Sequence, residues 1–298
     1  MLSVLIPIYN HNVNRLIEEL YQQLEESSKA YEIICIDDCS TRYYQKINRH
    51  IQSTLNLTYI ELEKNIGRAK IRNLLAKKAK YDKLLYLDSD SKIKRKLFIK
   101  TYLDYLYEAQ VLNGGRVYTS RRPTNLEKIL HYSYGTKRES KPPNLRNKKP
   151  GLYFHTNNFA IDKQLVIKHP FDESLKGYGY EDLAMAAALQ KKGVKILHLD
   201  NPIIHKDLDK AEDFLAKIEE SLISLAHLYL NKKIKNTPLL KMYRLLVKSH
   251  MKDQYISFYN RYESWIMKSL RSTRPSMKKL DMFKLYHFCI AIDSLDEE

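Results

Sequence analysis

The sequence predicts an α/β protein with a mainly parallel central sheet, helices on both of its faces, and a helical region after it. Three observations predict this. Apolar strand-like runs alternate with helix-periodic segments over the first ninety or so residues, joined by short connections. The apolar runs end in polar tips: Tyr9-Asn10, Asp37-Asp38 and Asp88-Ser-Asp90. From Ala211 onward only helical spacing is found.

Leu2 to Ile8 reads as a buried strand, with Pro7 marking its end because proline cannot serve a central ladder. Val13, Leu16, Ile17, Leu20 and Leu24 recur at helical spacing. Tyr31 to Ile36 is a second strand, and a helix follows around Tyr43 to Ile51. A third strand runs through Leu57 to Leu62, Gly67 opens a helix, and Lys83 to Leu87 forms a fourth strand. Beyond Asp90 the alternation weakens. Strands are expected at Val111 to Thr119, Phe154 to Asp162 and Val194 to Leu199, with a helix from Glu181 to Lys192. Arg121 to Pro150, rich in Lys, Arg, Asn and Pro, reads as a long loop broken by a short helix near Leu126 to Tyr132. The C-terminal helices break near Asn236-Thr237-Pro238 and Ser272-Thr273-Arg274-Pro275. A boundary between His205 and Lys210 divides residues 1–207 from a basic helical region, 208–298.

Composition narrows the function. A hydrophobic content of 44% argues against general disorder. Leu2 to Ile8 is too short for a signal-peptide core and has no basic lead-in, and no apolar run approaches a membrane span. The three cysteines, Cys35, Cys39 and Cys289, lack metal-ligand spacing; a reduced, cytoplasmic chain is the expectation. The net charge of +16 is uneven: Lys232 to Lys284 holds 14 Lys/Arg against 3 acids and so carries +11 of it. Such a segment meets nucleic acid, an anionic membrane surface or water.

In sheets of this kind ligands sit beyond the carboxyl ends of the strands, where strand order reverses. Aspartates there also cap the helices that follow, and for Asp37-Asp38 both readings stand. Three polar tips in one half-sheet favour a shared site. Asp88 and Asp90 offer hard oxygens at a spacing that suits Mg²⁺ or Mn²⁺ shared with a diphosphate. Glu181-Asp182 follows Gly177-Tyr-Gly-Tyr180 at a helix start, where the dipole favours negative charge.

Val4-Leu-Ile-Pro-Ile-Tyr-Asn10, Ile36-Asp-Asp-Cys-Ser40, Asn65-Ile-Gly-Arg-Ala-Lys-Ile-Arg-Asn73, Leu87-Asp-Ser-Asp90 and Gly179-Tyr-Glu-Asp182 stand in the order seen in family 2 glycosyltransferases, which this chain resembles over roughly its first two-thirds. The resemblance implies the GT-A fold, transfer from a nucleotide-diphosphate sugar, UDP-linked by expectation, and inversion at the anomeric carbon. It implies that Pro7 and Tyr9 line the nucleotide pocket, that Asp38 meets the base, and that Arg68 and Arg72 lie in the segment meeting base or diphosphate. Asp88 would approach ribose or metal, and Asp90 would ligate Mn²⁺ or Mg²⁺ together with His205. Asp182 would be the catalytic base, with Glu181 orienting the acceptor; Asn157 and Asn158 would bind sugar hydroxyls. Cys39 departs from the family's usual glycine, and its turn is expected to differ locally.

Two other readings compete. A nucleotidyltransferase of sugar phosphates would show a Gly-rich basic loop after the first strand, and Pro-Ile-Tyr-Asn-His is no such loop. A nucleic-acid-binding protein would spread its cations over the sheet, whereas here they concentrate in the C-terminal helices, so no nucleic acid is expected. The acceptor is expected to be a glycan or lipid-linked glycan, as in cell-surface polysaccharide synthesis. The basic helices, whose stripe in Pro238 to His250 is Leu239, Leu240, Tyr243, Leu246 and Val247, either pack on the core or hold the protein at an anionic membrane surface.

Overall fold

The computed structural model describes residues 1–55, 57–174 and 177–296. It opens with β1 (Leu2–Ile8), α1 (Asn14–Glu26), β2 (Tyr31–Asp37), α2 (Arg42–Thr54), β3 (Thr58–Glu61), α3 (Arg68–Lys78) and β4 (Lys83–Leu87). Next come β5 (Ser91–Ile93), α4 (Phe98–Tyr105), β6 (Val111–Asn113), β7 (Arg116–Tyr118), α5 (Ile129–Tyr134) and α6 (Pro143–Arg146). Then follow β8 (Asn158–Asp162), α7 (Lys163–Lys168), α8 (Glu181–Lys191), β9 (Ile196–His198) and β10 (Ile203–His205). The chain closes with α9 (Ala211–Leu230), α10 (Pro238–Lys248), α11 (Lys252–Leu270) and α12 (Met277–Asp296).

The chain forms two compact units. The first comprises Met1–Thr119, Ser140–Ser174 and Ala188–Asp207; the second comprises Ser120–Glu139, Leu175–Ala187 and Leu208–Glu298. The second therefore takes in two internal segments as well as the C-terminal helices.

In the first unit a seven-stranded sheet has the order β3-β2-β1-β4-β8-β6-β9, and a small sheet has the order β5-β10-β7. In the large sheet β8 alone runs against its neighbours, antiparallel to both β4 and β6. Alternation along β1 explains why the sheet is covered twice. Leu2, Val4, Ile6 and Ile8 enter one core with Leu16, Ile17 and Leu20 of α1. Tyr86 of β4 stacks on Phe159 of β8 at 4.8 Å and meets Phe171 edge-on. Pro7 belongs to β1 rather than ending it. It pairs with Ile36, but β1 pairs with β4 only over Ser3 to Leu5, so Pro7 has a strand neighbour on one side only.

Three further expectations change. Val111 to Thr119 is two strands in different sheets, because the chain turns at Gly114-Gly115. Gly115 has φ +82°, and a Cβ on it would lie 2.7 Å from the guanidinium carbon of Arg146. Strand β8 begins only at Asn158, and residues 121–150 carry α5, α6 and two short helical turns rather than one helix in a loop. The reason for much of that order is Arg146. It is buried and donates to the carbonyls of Lys141, Asn113, Gly114 and Leu199, and from Nη1 to Nδ1 of His198 at 2.7 Å.

The second unit is helical. Leu222 and Leu225 of α9 share a core with Tyr259 of α11 and Phe283 and Phe288 of α12, and Tyr259 stacks on Tyr286 at 3.9 Å. Breaks fall at both expected places, and a third separates α10 from α11 at Ser249–Met251. Leu240 and Tyr243 of the expected stripe are buried and Leu239 and Leu246 pack partly against the core, while Val247 is exposed. Among the described residues no helix is long and apolar enough to cross a membrane.

His198 yields a pH prediction. Its pKa is pushed down to about 4, chiefly by burial and further by Arg146, against a hydrogen bond to the Pro150 carbonyl that favours the charged ring. A depressed histidine is neutral in the fold, so the unfolded chain binds more protons between about pH 4 and the ordinary 6.5. Stability should fall as pH drops through that window, by something of the order of 3 kcal/mol from this ring. Urea midpoints for the wild type and His198→Asn at stepped pH test it: the variant should lose part of the slope, and an unchanged slope assigns the effect elsewhere.

Candidate active site

The strand order reverses between β1 and β4: β2 and β3 lie on one side of β1, and β4 and later strands on the other. A cleft of about 390 Å³ opens there. Pro7 and Tyr9 at the end of β1, Asp38 after β2, Arg68 and Arg72 of α3, and Asp88 and Asp90 after β4 all line it. All seven residues proposed from the sequence for nucleotide sugar share this one cavity.

Each is held by identifiable bonds. Asp38 is buried and accepts from the backbone N–H groups of Ile66 and Gly67 at 2.7 and 3.0 Å, pinning the turn that starts α3. Asp37 faces inward instead, accepting from the N–H of Ser40 and the hydroxyl of Tyr59. Of the two readings left open for this pair, Asp37 is structural, while Asp38 both fastens the turn and lines the cleft. The two arginines also separate: Arg68 opens α3 and is exposed, whereas Arg72 is buried and pairs with Asp88 at 2.8 Å. Cys39 adopts a left-handed turn (φ +62°) despite its Cβ.

Antiparallel pairing of β10 with β5 sets His205 opposite Ser91, immediately after Asp90. The result is a contact of 3.1 Å between His205 Nδ1 and Asp90 Oδ2. Burial raises the Asp90 pKa, but the hydrogen bond from His205 and favourable electrostatic interactions with His205, Arg116 and His11 outweigh it, holding the carboxyl well below the usual carboxylate range. An anionic oxygen beside an imidazole suits a divalent cation with open positions for phosphate and water oxygens. Among the described residues no group of three His, Cys, Asp or Glu side chains gathers for a metal. Asp90 and His205 thus offer two ligand types that suit such a cation, and do not form a cage of their own.

The remaining candidates divide. Asn157 is buried, its carboxamide has no hydrogen-bond partner among the described residues, and its carbonyl accepts from the N–H of Asp88. Asn158 does not fit the role of sugar ligand. Its Nδ2 donates to the carbonyls of Gly115 and Asn201, its Oδ1 accepts from the Tyr102 hydroxyl at 2.7 Å, and it is fully buried. Glu181 and Asp182 occupy the first turn of α8, with Asp182 Oδ1 accepting from the N–H of Leu183.

Asn10, named from the sequence only as part of a strand tip, also lines the cleft, as do His11, Asn65, Ser89 and Asp207, which were not proposed as ligands. His11 directly follows that tip, which is a usable signal; Asp207, 3.4 Å from His11, carries none.

A model described as "Glycosyl transferase family 2" matches residues 3–170, more than half of the chain. The chain belongs to this family. Among curated relatives it is 33% identical over 96 residues to the poly(ribitol-phosphate) beta-N-acetylglucosaminyltransferase TarS of Staphylococcus aureus, covering 31% of this chain and 17% of TarS. It is 29% identical over 140 residues to the putative teichuronic acid biosynthesis glycosyltransferase TuaG of Bacillus subtilis, covering 44% of this chain and 52% of TuaG. The chain thus spans about half or less of the length of the curated relatives it matches. Its fold is that of the mannosyltransferase PcManGT of Pyrobaculum calidifontis, solved with GDP-Man and Mn²⁺ (TM-score 0.59, 15% identity, 100% of this chain and 88% of that one). It is likewise that of S. aureus TarS 1–349 with UDP-GlcNAc (TM-score 0.52, 18% identity, 99% and 91%). These GT-A neighbours match the mainly parallel α/β architecture expected from the sequence.

Within the second unit the Gly177–Tyr180 loop lies against α9. The N–H of Tyr178 donates to Glu220 at 2.8 Å, and Gly179 has φ +92°, where a Cβ would sit 2.5 Å from the Ser221 Cβ. Gly193 also has positive φ (+73°) but nothing within 4 Å of its virtual Cβ. Gly193→Ala should cost only the backbone strain, about 1 kcal/mol, and Gly179→Ala clearly more, up to about 3 kcal/mol. Equal losses in urea unfolding would mean that the close approach to α9 constrains nothing.

Proposed function

We propose that this chain is an inverting, metal-dependent glycosyltransferase that moves a sugar from a UDP-sugar to a glycan or lipid-linked acceptor in cell-surface polysaccharide synthesis. The observation that carries the reading is the single cleft at the strand-order reversal, lined by all seven expected donor residues and containing Asp90 of the Asp90–His205 pair.

The chemistry follows from these groups. Pro7 and Tyr9 bound the nucleotide pocket, and Asp38 presents its remaining acceptor capacity to the base. Arg68 and the N-terminus of α3, which carries no acidic side chain in its first turn, favour the diphosphate. Asp88, fixed by Arg72, faces the ribose. Asp90 and His205 would hold Mn²⁺ or Mg²⁺, which would supply positive charge to the departing diphosphate. Asp182 takes the proton of the acceptor hydroxyl; that oxygen attacks the anomeric carbon from the face opposite the leaving group, the bond to the diphosphate oxygen breaks, and the configuration inverts. Glu181 orients the acceptor, and Asn157 offers its carboxamide to a sugar hydroxyl.

The ligands and settings of the relatives support this choice of donor and setting: UDP-GlcNAc with TarS, teichuronic acid biosynthesis for TuaG, and UDP with Mn²⁺ on a glucosyl-3-phosphoglycerate synthase of the same fold. The free thiols Cys35, Cys39 and Cys289 suit a reducing cytoplasm. The basic helices suit a peripheral position at the inner face of the cell membrane.

Asp182→Asn should lower turnover by about 10²-fold or more while UDP affinity is kept, because a base is lost and no nucleotide contact is. Transfer assays on purified enzyme check this; near-normal turnover overturns the assignment. Asp90→Ala should weaken Mn²⁺-dependent UDP binding itself. Calorimetry with and without Mn²⁺ decides, and an unaltered Mn²⁺-dependent affinity removes Asp90 from the cation site.

A further inference from the structure

The C-terminal helices expose apolar side chains that the helical core does not use. On α11, Phe258, Tyr262 and Trp265 follow one another at intervals that place them on a single stripe, and they are 44%, 43% and 57% exposed. A second stripe of the same helix, Tyr259, Ile266 and Leu270, about a quarter-turn round from the first, is fully buried. The helix is therefore apolar on two faces, and only one of them is covered. On α10, Met242 and Leu245 are likewise about half exposed, although Leu240 and Tyr243 anchor that helix in the core.

Cations border the exposed stripe. Arg261 and Lys268, two turns apart, form an exposed row beside it. On α12, Lys279 sets its ammonium 3.1 Å from the centroid of the Trp265 ring. Helical spacing turns the acids of α11, Asp253 and Glu263, away from the stripe. Aromatic rings along the stripe with lysine and arginine beside it match the cross-section of a lipid interface: hydrocarbon, then anionic headgroups.

We infer that the Phe258–Tyr262–Trp265 face of α11, with Met242 and Leu245 of α10, docks on an anionic phospholipid bilayer, its rings and aliphatic side chains entering the headgroup–acyl boundary and Arg261, Lys268 and Lys279 meeting lipid phosphates. Charge complementarity selects this occupant. A second copy would set like charges against each other across a two-fold axis, in a segment carrying 14 Lys/Arg and 3 acids. A soluble polyanion would use the cations and leave Met242, Leu245 and Phe258 without a role. The inference deepens the peripheral location proposed above and needs none of the transfer chemistry.

The chain has one tryptophan, so its emission reports on this face alone. The 298-residue protein is mixed with phosphatidylcholine vesicles, or with vesicles in which about a third of the lipid is phosphatidylglycerol, at about 0.15 M and about 1 M salt. Binding only to the anionic vesicles, weakened by high salt, with a blue shift of Trp265 emission, is expected. Arg261→Glu with Lys268→Glu should lower partitioning about tenfold or more. Phe258→Ser with Tyr262→Ser should reduce both binding and blue shift, and unchanged melting temperatures separate these losses from unfolding. Binding to neither vesicle, equal binding to both, or binding without a Trp265 shift overturns the proposal; competition by a soluble polyphosphate without any shift reassigns the face to polyanions. Mn²⁺-dependent UDP affinity, measured on the same preparation without vesicles, reports independently on the donor site.

Discussion

The ion pair between the buried Arg72 and the partly exposed Asp88 is the constraint on which the cleft depends. Arg72 is all but excluded from water, and its Nη2 meets Asp88 at 2.8 Å. A guanidinium so placed is costly to leave without an anion opposite it, because a charge taken out of water must be compensated by a partner. The arginine is itself fixed twice: the Tyr86 hydroxyl donates to its carbonyl, and its guanidinium lies over the Phe171 ring. The carboxylate therefore stands where the pair requires, the Asp88 N–H reaches the Asn157 carbonyl, and the Asp88 carbonyl receives the N–H of Ser91. From Ser91 the chain enters β5, whose register with β10 delivers His205 to Asp90. One charge pair thus sets the geometry of the tip of β4 and, through it, the place where a cation fits.

The strand tips follow a second economy. A carboxylate beyond the end of a strand finds unbonded backbone N–H groups close by, and Asp37 and Asp38 both take them. What distinguishes them is direction. Asp37 turns to Tyr59 inside the fold, whereas Asp38 reaches across to the start of α3 and stays on the cleft wall. Structural and ligand-facing roles are compatible in one side chain because an ionised carboxylate offers about four acceptor positions and two donors use only part of them.

How much was legible in the sequence depended on how local the cause was. Strands β1 and β4 were readable because a continuous apolar run ending in a polar tip reports burial directly; most of the cleft residues sit at such strand ends, while Arg68 and Arg72 lie on α3 and were readable only through the resemblance of Asn65 to Asn73 to the family's motif. The reversal of β8 left no trace in periodicity, since a buried strand reads alike in either direction. Gly114-Gly115 interrupts what looks like a single strand, and its meaning lies in Arg146, some thirty residues away. Asn158 had the polarity of a sugar ligand, but burial among Tyr102, Gly115 and Asn201 decides otherwise, and burial of a single polar residue cannot be read from its neighbours in sequence. Cys39 shows tertiary bonds overriding a local preference. Steric preference spoke against a left-handed turn, yet surrounding bonds, including Asn10 Oδ1 to the N–H of Thr41 and the Asn10 N–H to Ser40 Oγ, hold it in place.

Asn158 has a consequence for how this sequence can drift. Its carboxamide, the Tyr102 hydroxyl and the carbonyls of Gly115 and Asn201 close a single hydrogen-bonded knot, and Gly114 leaves the space for it: a Cβ there would stand 2.4 Å from Asn158 Nδ2 and 2.6 Å from the Tyr102 hydroxyl. Changing any one member strands buried polar atoms or creates a clash, so single steps away from this arrangement pass through less stable proteins. These positions lie on four separate segments, yet they form one heritable unit. In divergent descendants they should be retained together or exchanged together, and a lone replacement at any of them should be accompanied by a compensating change at another.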